Sequence, residues 1–328
     1  MPLRTCLAAV PLAAVALAAS TVAAPAQEWP SQPVKIVVAA AAGGPIDVFG
    51  RVMAERLSPL LGQQVVVENV PGAGGMVGGQ RVARAEDGHT VLLGTIATHT
   101  HSQNLYKQPL YDSRTDFTPV ALMAEIPLVL ITRKDLPATD MKSFADYAKA
   151  NQGKMNFGSA GVGSATHLGC ELLAAGLGVK VQHVPYRGTG PAMQDLQGGR
   201  IDFLCEIVLT AAPQAQAGTV KALATLSAAR SAALPNVPTA AEQGFKGMEA
   251  DTWTAFFLPK GAPRPVVEKL HAATMKVLET TEAKSRLEQL GATIVAPERR
   301  SPAYLADFVK ADVTKWAAPV KAAGIEPQ

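Results

Sequence analysis

The chain has 328 residues, 48% of them apolar and 17% charged, and a formal net charge of +3. That length is enough for one large or two medium domains with cores of their own, and two are expected. Lysines and arginines are scattered rather than clustered, which leaves a nucleic-acid partner no basic patch to engage.

At the N-terminus, Arg4 precedes an apolar run from Leu7 to Ala19, and Ala24-Pro25-Ala26 supplies the small residues that a signal peptidase reads. Residues 1–26 are therefore expected to be a cleaved signal peptide. The run is shorter than the ~20 residues of a membrane span, and Arg4 and Thr5 before Cys6 do not fit a lipoprotein signal. Cleavage after Ala26 removes Arg4, lowers the formal charge by one, and is expected to leave an exported, soluble mature chain.

Beyond this segment, short β-branched runs alternate with helical patterns. Strands are predicted at Lys35 to Ala39, Gln64 to Glu68, Thr90 to Thr95, Leu128 to Thr132, Lys154 to Gly158, Val181 to Pro185, Ile201 to Glu206, Val220 to Ser227 and Trp253 to Lys260. Asp47 to Leu61 reads as a helix with Val48, Val52, Leu57, Leu60 and Leu61 facing inward, and Ala165 to Leu177 as another with Leu168, Leu172 and Leu173 inward. Amphipathic helices starting near Pro263, Glu282 and Pro302 look like cover for a sheet. The alternation predicts parallel α/β layers. No low-complexity linker divides the chain, so it is expected to cross between domains twice, near Ala124 to Pro127 and near Glu249 to Thr252. Residues 27–124 plus 251–328 then form one domain and 125–250 the other.

Three glycine-rich turns each follow a strand: Ala41 to Asp47, Pro71 to Gly75, and Gly158 to Gly163 ahead of Ser164-Ala165-Thr166-His167. A glycine turn feeding a helix leaves N–H groups without intrahelical partners, and the helix dipole adds positive charge there, so such a turn suits an anion. The third turn lacks the lysine and following Ser or Thr of a Walker loop. Gly72, Gly74 and Gly78 are spaced GxGxxxG, off the dinucleotide pattern. Three such turns point to a ligand crevice at the carboxyl ends of the strands. Asp47 has two readings, a helix cap and an acceptor for a ligand donor. His167, in the first turn of its helix, can hydrogen-bond a ligand carboxylate. Glu206 ends an apolar strand, where a carboxylate must be solvated by a cleft or paired.

No catalytic set emerges. The chain has no GxSxG elbow, HExxH or SxxK, and its histidines are scattered singly apart from His99 and His101, which lack a third zinc ligand. No metal or cofactor is expected. Cys170 and Cys205, which remain after Cys6 is removed, admit two readings: a disulfide in an oxidising compartment, or two buried thiols.

The order GGPID, ENVPGAGG (Glu68 to Gly75), LLGT (Leu92 to Thr95), YDSRTDFTPVAL (Tyr111 to Leu122), GSAGVGSATHLG, HVPYRGTGPAMQDLQGGRID (His183 to Asp202) and LPNVPTAAEQG (Leu234 to Gly244) closely resembles the Bug family, extracytoplasmic substrate-binding proteins of tripartite tricarboxylate transporters. The match runs through nearly all of the mature chain. It implies an α/β, two-domain periplasmic binding protein fold of type II-like form that closes on a carboxylate between its domains. The resemblance places one carboxylate between Gly43, Gly44 and Asp47 on one side and Gly161, Gly163, Ser164, Thr166 and His167 on the other. It adds Gly72, Gly74, Gly75, Thr95, Thr98, Tyr186 and Glu206 as further cleft positions. The implied partners are a dicarboxylate, tricarboxylate, aromatic carboxylate or amino acid, and the large and small membrane subunits of a transporter. Many relatives read PFPPGGGTD where this chain has Ala39 to Asp47, so an aromatic wall and the hydroxyl at Ile46 are missing. Two rival readings are a sensor that presents its closed form to a membrane signalling protein, and an exported α/β hydrolase or isomerase using His167 or Glu206.

Overall fold

Val34, Ile36 and Val38 of the first strand join one buried cluster with Phe49, Met53 and Leu270, while Val37 joins a second with Leu92, Phe257 and Trp316. A strand covered on both faces reads as a near-continuous apolar run, and VKIVV is apolar at every position but the exposed Lys35. The structure, a computed structural model, describes residues 28–289 and 291–322. The expected signal peptide at 1–26 lies outside them.

In chain order the elements are β1 (Val34–Val38), α1 (Pro45–Leu61), β2 (Val65–Asn69), α2 (Met76–Ala83), β3 (Thr90–Thr95), α3 (Ser102–Leu105), β4 (Phe117–Arg133), α4 (Met141–Ala150), β5 (Asn156–Ser159) and α5 (Ala165–Leu177). They continue with β6 (Gln182–Pro185), α6 (Thr189–Gln197), β7 (Phe203–Ile207), α7 (Val208–Gln216), β8 (Val220–Leu226), β9 (Asp251–Pro259), α8 (Arg264–Glu279), α9 (Thr281–Gln289), β10 (Thr293–Ile294) and α10 (Pro302–Ala322). Pro45 opens α1, where its missing N–H costs nothing, and Gly62 closes it in the left-handed conformation. The inward face of α1 is Phe49, Met53, Leu57 and Leu61. Of the expected stripe, Val48 and Val52 lie half-buried on its flank, and Leu60, near the helix end, is 43% exposed.

The strands run in the order β2-β1-β3-β9-β4-β7-β5-β6, with β8 and β10 also paired to β4. Parallel pairing holds for β2-β1-β3 and for β7-β5-β6, but β9 is antiparallel to β3 and β4, and β4 is antiparallel to β7 and β8. The sheet is thus mixed, where parallel layers were expected. β4 runs through two sheet regions: its residues 117–127 pair with β9, and from Leu128 onward it pairs with β7 and β8. Leu128 N–H donates to Ala250 O at 3.3 Å at this handover. Prolines at 119 and 127 cannot donate to a ladder, and register shifts lie between Pro119 and Ala121 and between Leu122 and Ala124.

Candidate functional site

α1 and α5 each start immediately after a strand-to-helix turn, and the two starts face one cavity of about 940 Å³. Its wall takes in Ala39 to Ile46, Pro71 to Gly75, Leu93, Thr95, Ala97, Tyr106, Ala160 to Val162, Ser164 to Thr166, Tyr186 to Pro191, Ile207 and Thr252. These positions cluster where β1, β3, β5, β6 and β7 end, so the strands deliver their following turns to one place.

Most N–H groups of the two turns are already engaged. Gly43 N donates to Asp47 Oδ2 at 2.8 Å, Gly44 N to Ala41 O at 3.3 Å, and Ala160 N to Thr166 Oγ1 at 2.9 Å. Gly161 N donates to Ser159 Oγ at 3.0 Å and Gly163 N to His167 Nδ1 at 3.3 Å. The amides of Ala41, Ala42 and Val162 donate to no acceptor among the described residues, and the first helical turn adds amides that have no intrahelical acceptor. Ile46 and Asp47 of α1, and Ala165 and Thr166 of α5, donate to no acceptor among the described residues. Two helix dipoles reinforce their positive ends. Ser164 caps α5, accepting from His167 N at 3.2 Å and donating to Gly161 O at 2.7 Å.

Of the sequence-predicted positions, Gly43, Gly44, Gly72, Gly74, Gly75, Thr95, Gly161, Ser164, Thr166 and Tyr186 line the cavity. Asp47, Thr98, Gly163, His167 and Glu206 stand outside its wall. Asp47 is 2% exposed and accepts from Gly43 N, from Arg51 Nε at 2.9 Å and from Asn69 Nδ2 at 3.0 Å. Burial would raise its pKa, but Arg51, the Gly43 amide and Asn69 outweigh this and hold it below the ordinary carboxylate range. Its side chain braces the turn from behind the cavity wall. Thr98 Oγ1 accepts from Thr95 N at 2.9 Å, so it supports a wall residue from behind.

His167 stacks on His183 with ring centroids 4.0 Å apart. Burial, aided by His183, pushes its pKa down to about 3, so the ring is neutral and offers an anion no charge. Glu206 is fully buried behind Ile207; its Oε1 accepts from Ile207 N at 3.0 Å and from Thr210 Oγ1 at 2.7 Å. Burial raises its pKa to about 7. Its Oε2 is buried with no hydrogen-bond partner among the described residues, so the strand end is met by bonds to one oxygen and a raised pKa rather than by exposure to the cleft.

Sequence reasoning overlooked the Ile46 amide, Tyr106, Thr252 and the stretch Arg187 to Pro191. The last was within reach, since HVPYRGTGP contains a glycine turn before α6, but only Tyr186 was taken from it. Tyr186 Oη donates to Asp195 Oδ2 at 2.8 Å. The two sides of the cleft also meet directly. A Cβ on Gly188 would stand 2.9 Å from Ala41 Cβ, and one on Gly74 3.0 Å from Val162 O, so neither position has room for a side chain.

Cys170 of α5 and Cys205 of β7 are both buried and joined as a disulfide, with Cα atoms 5.3 Å apart. Among the described residues no group of three or more His, Cys, Asp or Glu is placed to hold a metal ion. His99 stacks on Phe257 and His101 lies edge-on to Trp316, both deep in the core. No helix among the described residues is long and apolar enough to cross a membrane.

Two α/β lobes that share strand β4 and enclose a cleft between turns of each define a periplasmic binding protein. The chain belongs to the tripartite tricarboxylate transporter receptor family, whose model matches residues 49–325. It is 42% identical over 300 residues to a protein of Agrobacterium vitis encoded in the TAR-I ttuE-ttuC' intergenic region, covering 90% of this chain and 86% of that one. The periplasmic binding protein BugD superposes with a TM-score of 0.87 at 41% identity, covering 92% of this chain and 100% of BugD. MatC from Rhodopseudomonas palustris, solved with bound malate, superposes with a TM-score of 0.85 at 38% identity, covering 89% of this chain and 100% of MatC.

Proposed function

We propose that this chain is an extracytoplasmic receptor that captures a small organic carboxylate and delivers it to the large and small membrane subunits of a tripartite tricarboxylate-type transporter. The observation that carries the reading is the pair of helix starts, α1 and α5, that bring the unengaged amides of the wall residues Ile46, Ala165 and Thr166 to one cavity from opposite lobes. Such a site holds an anion through oriented dipoles and releases it again, with no nucleophile or base in its wall set up for chemistry. Malate in MatC supports a carboxylate as the cargo class.

The ligand carboxylate sits between the amides of Ile46, Ala165 and Thr166, with the Thr95 hydroxyl beside them. Residues 27–124 plus 251–328 form one closing unit and 125–250 the other, with residues 1–26 removed on export. Contacts to both units favour the closed state. The test is a thermal-shift screen of carboxylates on the mature chain. A ligand at 100 times its dissociation constant adds about 2.7 kcal/mol of stability. Stabilisation by a carboxylate that is recovered unchanged, together with lost uptake of that compound in a receptor knockout, supports the reading. A screen with no stabilising anion, or one in which the compound is converted, defeats it.

A further inference from the structure

A third helix also starts at the cavity. Gly188-Thr189-Gly190-Pro191 leads into α6, and all four residues line the wall. Gly188 holds φ at 129°, a value that favours glycine. No side chain caps this helix, Pro191 has no N–H to engage, and the amides of Gly188, Thr189 and Gly190 donate to no acceptor among the described residues. Thr189 is only 7% exposed, and behind it stands Glu206. Oε1 of that acid already takes two donors, Ile207 N and Thr210 Oγ1, while its Oε2 is buried without a partner. The Thr189 hydroxyl approaches the carboxyl without closing a hydrogen bond to it. With Oε1 doubly supplied, the proton of the neutral acid belongs on Oε2, where Thr189 Oγ1 is its acceptor. That leaves the threonine's own O–H free to donate into the cavity. An ionised Glu206 would instead draw the threonine proton to itself and turn a lone pair toward the cargo, with a negative charge behind it.

No charged group beside Glu206 offsets that charge. Among the elements packed on it, β4 pairs Val129 with it, β5 and α7 carry no charged residue, and α6 has only Asp195, which is held by Arg200 and Tyr186. Alternation along β7 puts Glu206 on the face opposite Cys205, whose disulfide partner lies on α5, so the stacked His167 and His183 are across the sheet.

On the basis of the receptor reading above, we propose that Glu206 is a positioning residue that acts through Thr189: when the start of α6 receives a second anionic group of the cargo, Glu206 holds a proton and Thr189 donates to that group. The carboxylate seated at α1 and α5 is read by amides, whose protons do not titrate. The group at α6 meets the amides of Thr189 and Gly190 and a hydroxyl whose direction the buried acid sets. Burial leaves Glu206 titrating at about 7 in the empty cleft, so an anion arriving above that pH is bound together with a proton taken from the buffer.

Titration calorimetry on the mature chain follows adipate and malate from pH 6.5 to 8.5, with hexanoate and 3-hydroxybutyrate as the matched acids that lack the second carboxylate. Heats measured at pH 8 in HEPES and in Tris, which differ in ionisation enthalpy, count the protons taken up. The diacid that binds more tightly is expected to take up at least about half a proton at pH 8 and to weaken about tenfold between pH 6.5 and 8.5. Its matched monoacid should show neither effect. Glu206→Gln, which presents a donor to Thr189 at every pH, should abolish both, and this separates Glu206 from Asp251, the other acid raised to about 7. Thr189→Val should weaken the diacid about tenfold at pH 6.5, and the melting temperature of each unliganded variant checks its folding. Diacid binding by the wild-type chain without proton uptake, uptake that persists in Glu206→Gln, an unaltered constant in Thr189→Val, equal uptake with the monoacid, or binding of the monoacids alone would each overturn the proposal and leave the receptor reading intact. The proton count needs only the wild-type chain, so it decides the matter even where a variant fails to fold. No binding by any of the four carboxylates would overturn both.

Discussion

At the scale of single residues, the cleft depends on side chains that do not reach it. Asp47→Ala would strip the Gly43 amide, Asn69 and Arg51 of a shared buried acceptor. A loss of about 2 kcal/mol is expected, read from the shift of a denaturant midpoint. An unchanged midpoint would mean that the turn holds its shape without this brace. Thr166→Ala leaves Ala160 N without its acceptor and loosens the turn before α5. Ligand affinity should fall roughly tenfold, equivalent to about 1.4 kcal/mol, and calorimetry showing an unaltered constant would remove that turn from the site. Glu206 has a pH signature: burial lifts its carboxyl from 4.5 to about 7, so the folded chain keeps a proton that the unfolded chain releases. Its contribution is fully present below 4.5 and is lost as the pH rises through 7, an effect of roughly 3 kcal/mol. Glu206→Gln should therefore flatten the decline between pH 5 and 8 in pH-resolved melting; a variant with the wild-type slope would place the proton elsewhere.

At the scale of elements, the disulfide ties α5, which follows one of the turns lining the cavity, to β7 across a sequence separation of 35 residues. Closing a loop of that size is worth about 3 to 4 kcal/mol. Reduction, or Cys170→Ser with Cys205→Ser, should lower the denaturant midpoint accordingly, and mass spectrometry should find the unreduced chain lighter than the reduced one by two hydrogen atoms. A mass equal to that of the reduced chain would contradict the bond. The same elements show what was legible in the residues. β1, β3, β5 and α5 were readable to within two residues because each strand is a short, largely apolar run that gives way to small residues and glycines and because Ser164 marks a helix start. β4 was not, since Pro119 and Pro127 interrupt its pattern and only bulges and a change of partner strand accommodate them. At the cleft, glycine turns disclosed which segments converge. Which amides remain free was hidden, because that depends on Asp47, Ser159 and His167 having taken the others.

For the whole molecule, two sets of buried groups oppose each other in their response to pH. Burial holds His99, His101 and His167 near 3 and His183 near 4, below the ordinary 6.5. Each contributes stability that is present above 6.5 and is lost as the pH falls toward the folded value. Glu206 and Asp251 are both raised to about 7, the latter by burial and then by Glu125, and their contributions fade as the pH rises to that value. Four bases outweigh two acids on the acid side, so the melting temperature should peak between about pH 6 and 7. A maximum at pH 5 or lower would show that the histidines are protonated in the folded chain.

The path of β4 has a further consequence. Its first part is hydrogen-bonded to β9 and its last part to β7 and β8, with no break at Pro127 and Leu128. Neither lobe can melt without fraying a strand on which the other is built, so heat should produce one cooperative transition with equal calorimetric and van't Hoff enthalpies. Motion that bends this strand leaves both ladders intact, whereas loss of either ladder exposes the other. Whatever bending the strand permits between the two halves, they unfold together.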